Sequence, residues 1–471
     1  MSVLSMSRSF VVVPLAATLG AANTYAAATP QLAGNIVPVE VRQVAPMQYN
    51  KLFVDVTVCN ASRQCRTVPD VLVDTGSVGL RLLRGALDGL ELAPVTDPRG
   101  RPLSNWSSFG SGDLWGTMHL AQVRLGEVST TRAIPIEVYD LPGRREKLPD
   151  GYADVDTRPE IARMGNGILG ISPHRHFPKG YYVKGAKTQM PGASRWLAVQ
   201  VDATRQLTNP IARFPSPYDN GSVISLPEVD WTAGATRVQG WLGLGIGAAT
   251  EALFPHGARI VSHDLDDNGQ FAAAIGARRF PVLVDSGTNA LSLDLSHLGV
   301  SRHARYASYY DAVAPTPIEL AVRSGDDEVK LARPLYVGPT VKYLKAHSTH
   351  GALPMVVGWD DGQRSLSVLG LPFFYGRTVA TGLRGTVNPF PQGAPAAATA
   401  APDDDADGFE IIDDEFASVD AAAPGWMIVD DYVERAANRA TATTTNAAPR
   451  AVDGAFELLS NSPHGFIAYT D

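Results

Sequence analysis

Short apolar runs broken by turn residues dominate the chain. Residues 52–58 and 68–73 read as two strands, and 134–139, 223–226 and 335–337 repeat the pattern of aliphatic or aromatic residues between Gly, Pro, Asn and Asp. Helical spacing is confined to stretches around 194–206 and 296–313. No regular alternation of strand with helix follows, which argues against a doubly wound parallel sheet and predicts a mainly β fold. The last run, Gly465-Phe466-Ile467-Ala468-Tyr469, reads as a returning edge strand. One apolar run, residues 10–22, is of a different kind. It is too short to span a bilayer as a mature helix, follows Arg8 and precedes Ala26-Ala27-Ala28. Residues 1–28 are therefore read as an export signal, with no stable membrane span after its removal.

Composition fits many turns and a substantial core. The 471 residues include 44 Gly and 34 Pro, with 45% hydrophobic and 19% charged. The net charge of −8 speaks against nucleic acid as a partner. That charge is unevenly placed: residues 393–460 hold 14 acids and 3 arginines, a net of −11, which leaves about +3 on the remainder. Residues 393–457, rich in Ala, Pro, Thr and Asp, read as an acidic, solvated insert without a packed core. A sharper reading makes the insert a lid that is released when its carboxyls protonate. The two cysteines exclude a disulfide scaffold. Export to an oxidising compartment predicts a Cys59–Cys65 disulfide at the tip of the hairpin formed by the first two strands.

One internal echo carries chemistry. Val71-Leu72-Val73-Asp74-Thr75-Gly76-Ser77 recurs as Val282-Leu283-Val284-Asp285-Ser286-Gly287-Thr288, 211 residues later. In each copy a buried strand delivers an Asp to a loop. Gly at the second following position permits a tight turn, and the hydroxyls at the first and third can bond the carboxylate or the facing loop. Two such loops related by a pseudo-twofold axis would set two carboxyls face to face. Like charges that close cannot both ionise easily, so the pair would share one proton, one member acting as base and the other as acid.

These loops resemble those of the pepsin-like, two-lobed aspartic peptidases, and the rest of the chain follows the same order. Gly167-Ile168-Leu169-Gly170 resembles the strand that packs across the first catalytic loop, and Val368-Leu369-Gly370 its second-lobe counterpart. Phe109-Gly110-Ser111-Gly112 resembles the flap hairpin over the cleft, and Asn209-Pro210-Ile211 with Asn220-Gly221-Ser222 the interlobe crossing. The likeness covers roughly residues 48–385 and is nearest to a bacterial branch of exported pepsin-like proteins. It implies that Asp74 and Asp285 are the catalytic dyad and that Ser77 and Thr288 brace their carboxylates. It also implies that Thr75 and Ser286 interlock the loops, and that Gly76 and Gly287 shape the turns. No metal and no organic cofactor are implied. Two positions depart from the family: Phe109 stands where the flap usually carries Tyr, and Arg81 where a Trp follows the first loop. Those groups normally bond each other, so the flap is expected to be held differently, with Trp115 a candidate for the missing indole.

Other motifs point to structure. Asp264, Asp266 and Asn268 with Gly269 match half of a calcium loop, but Ile275 stands where its Glu belongs, so an Asx-rich hairpin turn is expected. Gly243, Gly245 and Gly247 lack the spacing of a dinucleotide site. His174 and His176 have no third ligand nearby and read as surface or loop residues.

The expected fold is thus mainly β, a bilobal pepsin-like aspartic peptidase fold with pseudo-twofold lobes and a central cleft. Expected boundaries are a signal at 1–28, an N-terminal lobe at 29–215, a C-terminal lobe at 216–392, the insert at 393–457 and a C-terminal strand at 458–471. The expected activity is endopeptidase cleavage of a polypeptide substrate by an exported, periplasmic or secreted bacterial monomer. The rival is a non-catalytic pepsin-fold binding or inhibitor protein, since fold alone does not give function.

Overall fold

The computed structural model describes residues 34–46, 48–109, 112–140, 165–185, 195–324, 327–359, 367–390 and 461–471. The signal at 1–28 and the insert at 393–457 lie outside them. Strands dominate, and the longest helix among the described residues is the seven-residue Thr340–Ala346. None of the described helices is long and apolar enough to cross a membrane.

The hairpin at the start of the chain shows why the pattern works. Strand Leu52–Cys59 pairs antiparallel with Cys65–Asp74, and the facing Cys59 and Cys65 form the expected disulfide. The second strand is mostly exposed over its first half, but Val71, Leu72, Val73 and Asp74 are all buried. A stretch covered on both faces has no reason to alternate, so its sequence is an unbroken apolar run. Its cover includes Gly167–Ile171, which runs parallel to it, with Gly170 opposite Asp74. The same strand also pairs antiparallel with Val78–Leu83.

The second half repeats this arrangement. Strand Arg278–Val284 leads to Asp285, runs parallel to Ser367–Leu369, and that strand pairs antiparallel with Leu291–Leu293. Each Asp loop thus leaves one strand and enters another, and a third strand lies between the two. The arrangement occurs twice in this mainly β chain, once around each Asp loop.

A six-strand antiparallel run ties the halves together. Its order is Ile36–Val41, Val238–Leu244, Gly221–Ser225, Thr378–Gly382, Phe466–Thr470 and Ile260–Asp264. Here one expectation is corrected. The last strand is interior, flanked on both sides, with Phe466 and Tyr469 fully buried. Its run is apolar on both faces, whereas an edge strand would leave one side to water.

Both helical expectations also fail. In 194–206, Trp196–Ala198 is a strand against Tyr181–Lys184, so its apolar residues serve a sheet. In 296–313 there is only the turn Ser296–Leu298, ended by Gly299 at a left-handed φ of 69°. Tyr309 and Tyr310 are then drawn into the core, and Asp311–Ile318 is a strand.

Candidate active site

The two repeated loops meet in the interior. Asp74 and Asp285 are both buried and their carboxyls face each other, so that a Cβ on Gly287 would lie 2.8 Å from Asp74 Oδ1 and 3.1 Å from Asp285 Oδ1. Each is braced in the same way. Gly76 N donates to Asp74 Oδ1 at 2.8 Å and Ser77 Oγ to Asp74 Oδ2 at 2.5 Å. Gly287 N donates to Asp285 Oδ1 at 2.7 Å and Thr288 Oγ1 to Asp285 Oδ2 at 2.6 Å. One oxygen of each carboxyl is thus held by backbone and the other by a hydroxyl, which fixes both planes.

The inner hydroxyls lock one loop to the other. Thr75 N donates to Ser286 Oγ at 3.1 Å, and Ser286 N to Thr75 Oγ1 at 3.0 Å. Each hydroxyl passes its own proton across the axis, Thr75 to Val284 O at 3.0 Å and Ser286 to Val73 O at 2.8 Å. Four buried bonds between segments 211 residues apart hold the loops in register. The glycines set the approach. A Cβ on Gly76 would lie 2.6 Å from Asp285 Cγ, and one on Gly287 would lie 2.8 Å from Asp74 Cγ. Any side chain there would push the carboxyls apart.

Burial and the facing Asp74 carboxylate raise the Asp285 carboxyl well above the usual carboxylate range. The bonds from Thr288 and Gly287 oppose that rise in part. The physical outcome is a pair that retains a proton where isolated carboxyls would both be ionised.

Two buried cations flank the pair, one beside each loop. Arg81 lies on the Val78–Leu83 strand and donates to Glu137 Oε2 at 3.0 Å, both side chains being buried. Burial pushes Glu137 up to about 7 despite that partner. Arg81 also donates to Val78 O at 2.7 Å, and its charge acts on Asp74. On the other side, Lys51 Nζ donates to Gly287 O at 2.7 Å. Burial lowers Lys51 to about 8, while Asp285 and Asp74 pull it back up. Lys51 gave no local signal in the sequence, because it precedes an ordinary strand.

The flap departures resolve into one compensated contact. Strands Leu103–Phe109 and Gly112–Leu125 form the expected hairpin, with Phe109 opposite Gly112. Gly110 and Ser111 lie outside the described residues. Arg81 donates to Ser107 Oγ at 2.9 Å, and its guanidinium lies 5.1 Å from the Phe109 ring centroid. A hydrogen bond plus a cation–π contact therefore joins the first loop's strand to the flap, with Arg81 and Phe109 as the contacting residues. Trp115 is engaged elsewhere, packed against Tyr182 and Trp196 at 5.4 and 4.8 Å between ring centroids.

Outside the site, two readings change or hold. His174 and His176 are buried instead of superficial. His176 lies between the Thr208 hydroxyl and Arg213, and burial pushes His174 down to about 3. Asp266 Oδ1 accepts from Asn268 N and Gln270 N, the expected Asx-type turn, but the strands it joins, Ile260–Asp264 and Phe271–Ile275, lie in different sheets and form no hairpin.

Residues 31–398 match the family described as "Protein of unknown function (DUF3443)". The chain belongs to that family. No curated protein matches it. Among solved structures it is similar to an aspartic proteinase from Irpex lacteus, at 15% identity and a TM-score of 0.43, over 73% of this chain and 93% of that one.

Proposed function

We propose that this DUF3443 protein is an aspartic endopeptidase in which Asp74 and Asp285 activate water against a peptide carbonyl. The observation that carries the reading is the pair itself: two buried, identically braced carboxyls that face each other, with glycines where any Cβ would separate them. A binding protein needs neither carboxylate, nor the burial that raises one of them.

The chemistry follows from the shared proton. Asp285 holds it and Asp74 is the carboxylate. A water between them loses a proton to Asp74 as its oxygen attacks the scissile carbonyl carbon. Asp285 gives its proton to the carbonyl oxygen, and a neutral gem-diol forms. The C–N bond then breaks as Asp74 passes its new proton to the departing nitrogen and a diol hydroxyl returns a proton to Asp285. The pair ends as it began, and water has been added across the bond. General acid and base assistance of this kind is worth about 10²–10⁴-fold for each group. Ser77, Thr288 and the two glycine N–H groups keep the carboxyls oriented throughout. Thr75 and Ser286 keep the loops from drifting.

The reading extends to an exported monomer whose signal, residues 1–28, is removed. Its lobes would be residues 29–215 and 216–392, around a cleft that takes extended polypeptide.

The test is incubation of residues 29–471 with an unfolded polypeptide from pH 3 to 7, beside Asp285→Asn, with fragments mapped by mass spectrometry. Cleavage by the wild type alone is expected. Equal cleavage by both, or none by either, would overturn the reading, and the second result would favour the binding protein.

A further inference from the structure

We propose that Lys51 is a positioning residue for the carboxyl pair: its buried ammonium, fixed beside the second Asp loop, sets the pH range over which the pair keeps a single proton. The inference rests on the reading of Asp74 and Asp285 as a working pair.

The lysine is held in place by its neighbours. Asn50 adopts a left-handed φ of 51°, and its side chain makes four hydrogen bonds to the second half of the chain. Its Nδ2 donates to Asn289 O and Leu353 O, both at 2.8 Å. Its Oδ1 accepts from Leu353 N and the Tyr375 hydroxyl, both at 2.7 Å. Its backbone N–H donates to Gly351 O at 2.6 Å, and the Tyr49 hydroxyl meets that of Tyr309 at 3.1 Å. Residues 49–50 therefore plug into the second half, and Lys51 follows with no freedom to swing out.

Its ammonium bonds Gly287, the residue whose N–H braces Asp285 and on which any Cβ would strike Asp74. Lys51 is 1% exposed. Burying a cation is expensive, and a single carbonyl satisfies one of three donors. A methionine would fill similar space without that cost. What rewards a cation here is negative charge.

The count of facing groups is specific. Asp74 and Asp285 are the anions that act on Lys51. Arg81 reaches Asp74 from the Val78–Leu83 strand, but it is matched by Glu137 from Ile134–Tyr139. The phenols of Tyr49 and Tyr181 are pushed up by burial and stay neutral. Arg81 is held by Glu137 at 3.0 Å and divides its charge between that partner and Asp74, whereas the charges acting on Lys51 are the pair's own, so Lys51 balances one carboxylate and leaves the second carboxyl to be neutral. That is the charge state the proposed mechanism starts from.

A nearby cation favours ionisation of a carboxyl, by about 1–3 pH units at close range. Removing it moves both ionisations of the pair upward. In folded Lys51→Met, both limbs of the pH–activity profile should therefore shift up by about one pH unit or more, while Lys51→Arg, which keeps the charge, holds them near the wild type. A second measurement leaves Lys51 intact: the Nζ titration of Lys51 by ¹⁵N NMR, in wild type and in Asp285→Asn. Coupling is reciprocal, so loss of the anion should make Lys51 deprotonate at lower pH. Unmoved limbs in folded Lys51→Met, or the same Lys51 titration in both proteins, would overturn the inference. The titration needs no turnover. A wild type that cleaves nothing, yet whose Lys51 responds to Asp285→Asn, would sink the peptidase reading and uphold the coupling.

Discussion

The two Asp loops are copies in their bonds and opposites in their surroundings. Each carboxyl takes one backbone N–H and one hydroxyl, and each loop gives one hydroxyl and one N–H to the other. Behind the first loop stands Arg81, paired with Glu137 and reaching the flap. Behind the second stands Lys51, whose ammonium donates to the Gly287 carbonyl and is drawn by the charges of the pair itself. The repeated residues fix where the carboxyls are. The unrepeated ones decide how each is charged. A symmetric pair in an asymmetric field has a reason to place its proton on one side.

The comparison breaks most completely at the carboxyls. Asp74→Asn and Asp285→Asn should each lower turnover by about 10³-fold or more with the fold intact, as read by cleavage rate and circular dichroism. A loss in only one of them would mean that the copies do not act together.

Breaking the first surround should cost stability. Arg81→Met leaves Glu137 buried and unpaired, at about 3–5 kcal/mol in chemical denaturation, and adding Glu137→Gln should restore most of it. A single variant that unfolds like the wild type would show that the ion pair supports nothing. The approach of the loops is tested by Gly76→Ala and Gly287→Ala. Each new methyl meets the opposite carboxyl, and misplacement on the order of 1 Å should cost about 10²-fold in rate.

The smallest effect is a pH slope. The folded Asp285 binds its proton more tightly than the unfolded chain does, so its contribution to stability is complete in acid. It is lost as pH rises through the raised value. Asp285→Asn should remove that loss and stand above the wild type at neutral pH, by on the order of 1 kcal/mol, in melting curves taken from pH 4 to 8. A wild type that gains stability over that range relative to the variant would reverse the assignment.

How much of this was legible in the sequence depends on whether the cause is local. The Asp loops were, because a strand buried on both faces must be an apolar run and a loop pressed against a carboxyl must carry glycine. The strands through Gly170 and Gly370 were legible for the same reason: a Cβ there would strike backbone at 2.7 and 2.1 Å. The stretch at 296–313 misled because Tyr306, Tyr309 and Tyr310 stand at helix-like spacing, but Tyr309 and Tyr310 are buried against Tyr49 and the Leu291–Leu293 strand. Arg81 stood out as a departure, yet its meaning lies in Glu137, 56 residues away. Each is a charge inside an otherwise apolar strand, and that shared oddity was the available signal. Lys51 offered none, since its partner is 236 residues distant and only the folded chain brings them together.

The central claim is that Asp74 and Asp285 share one proton. The direct measurement is a titration of their side-chain carboxyl carbons by ¹³C NMR, assigned with the two Asp→Asn variants. Two ionisations set well apart are expected, the upper one far above that of an ordinary aspartate and absent from Asp285→Asn. Two carboxyls titrating together at about pH 4, as free aspartates do, would contradict it.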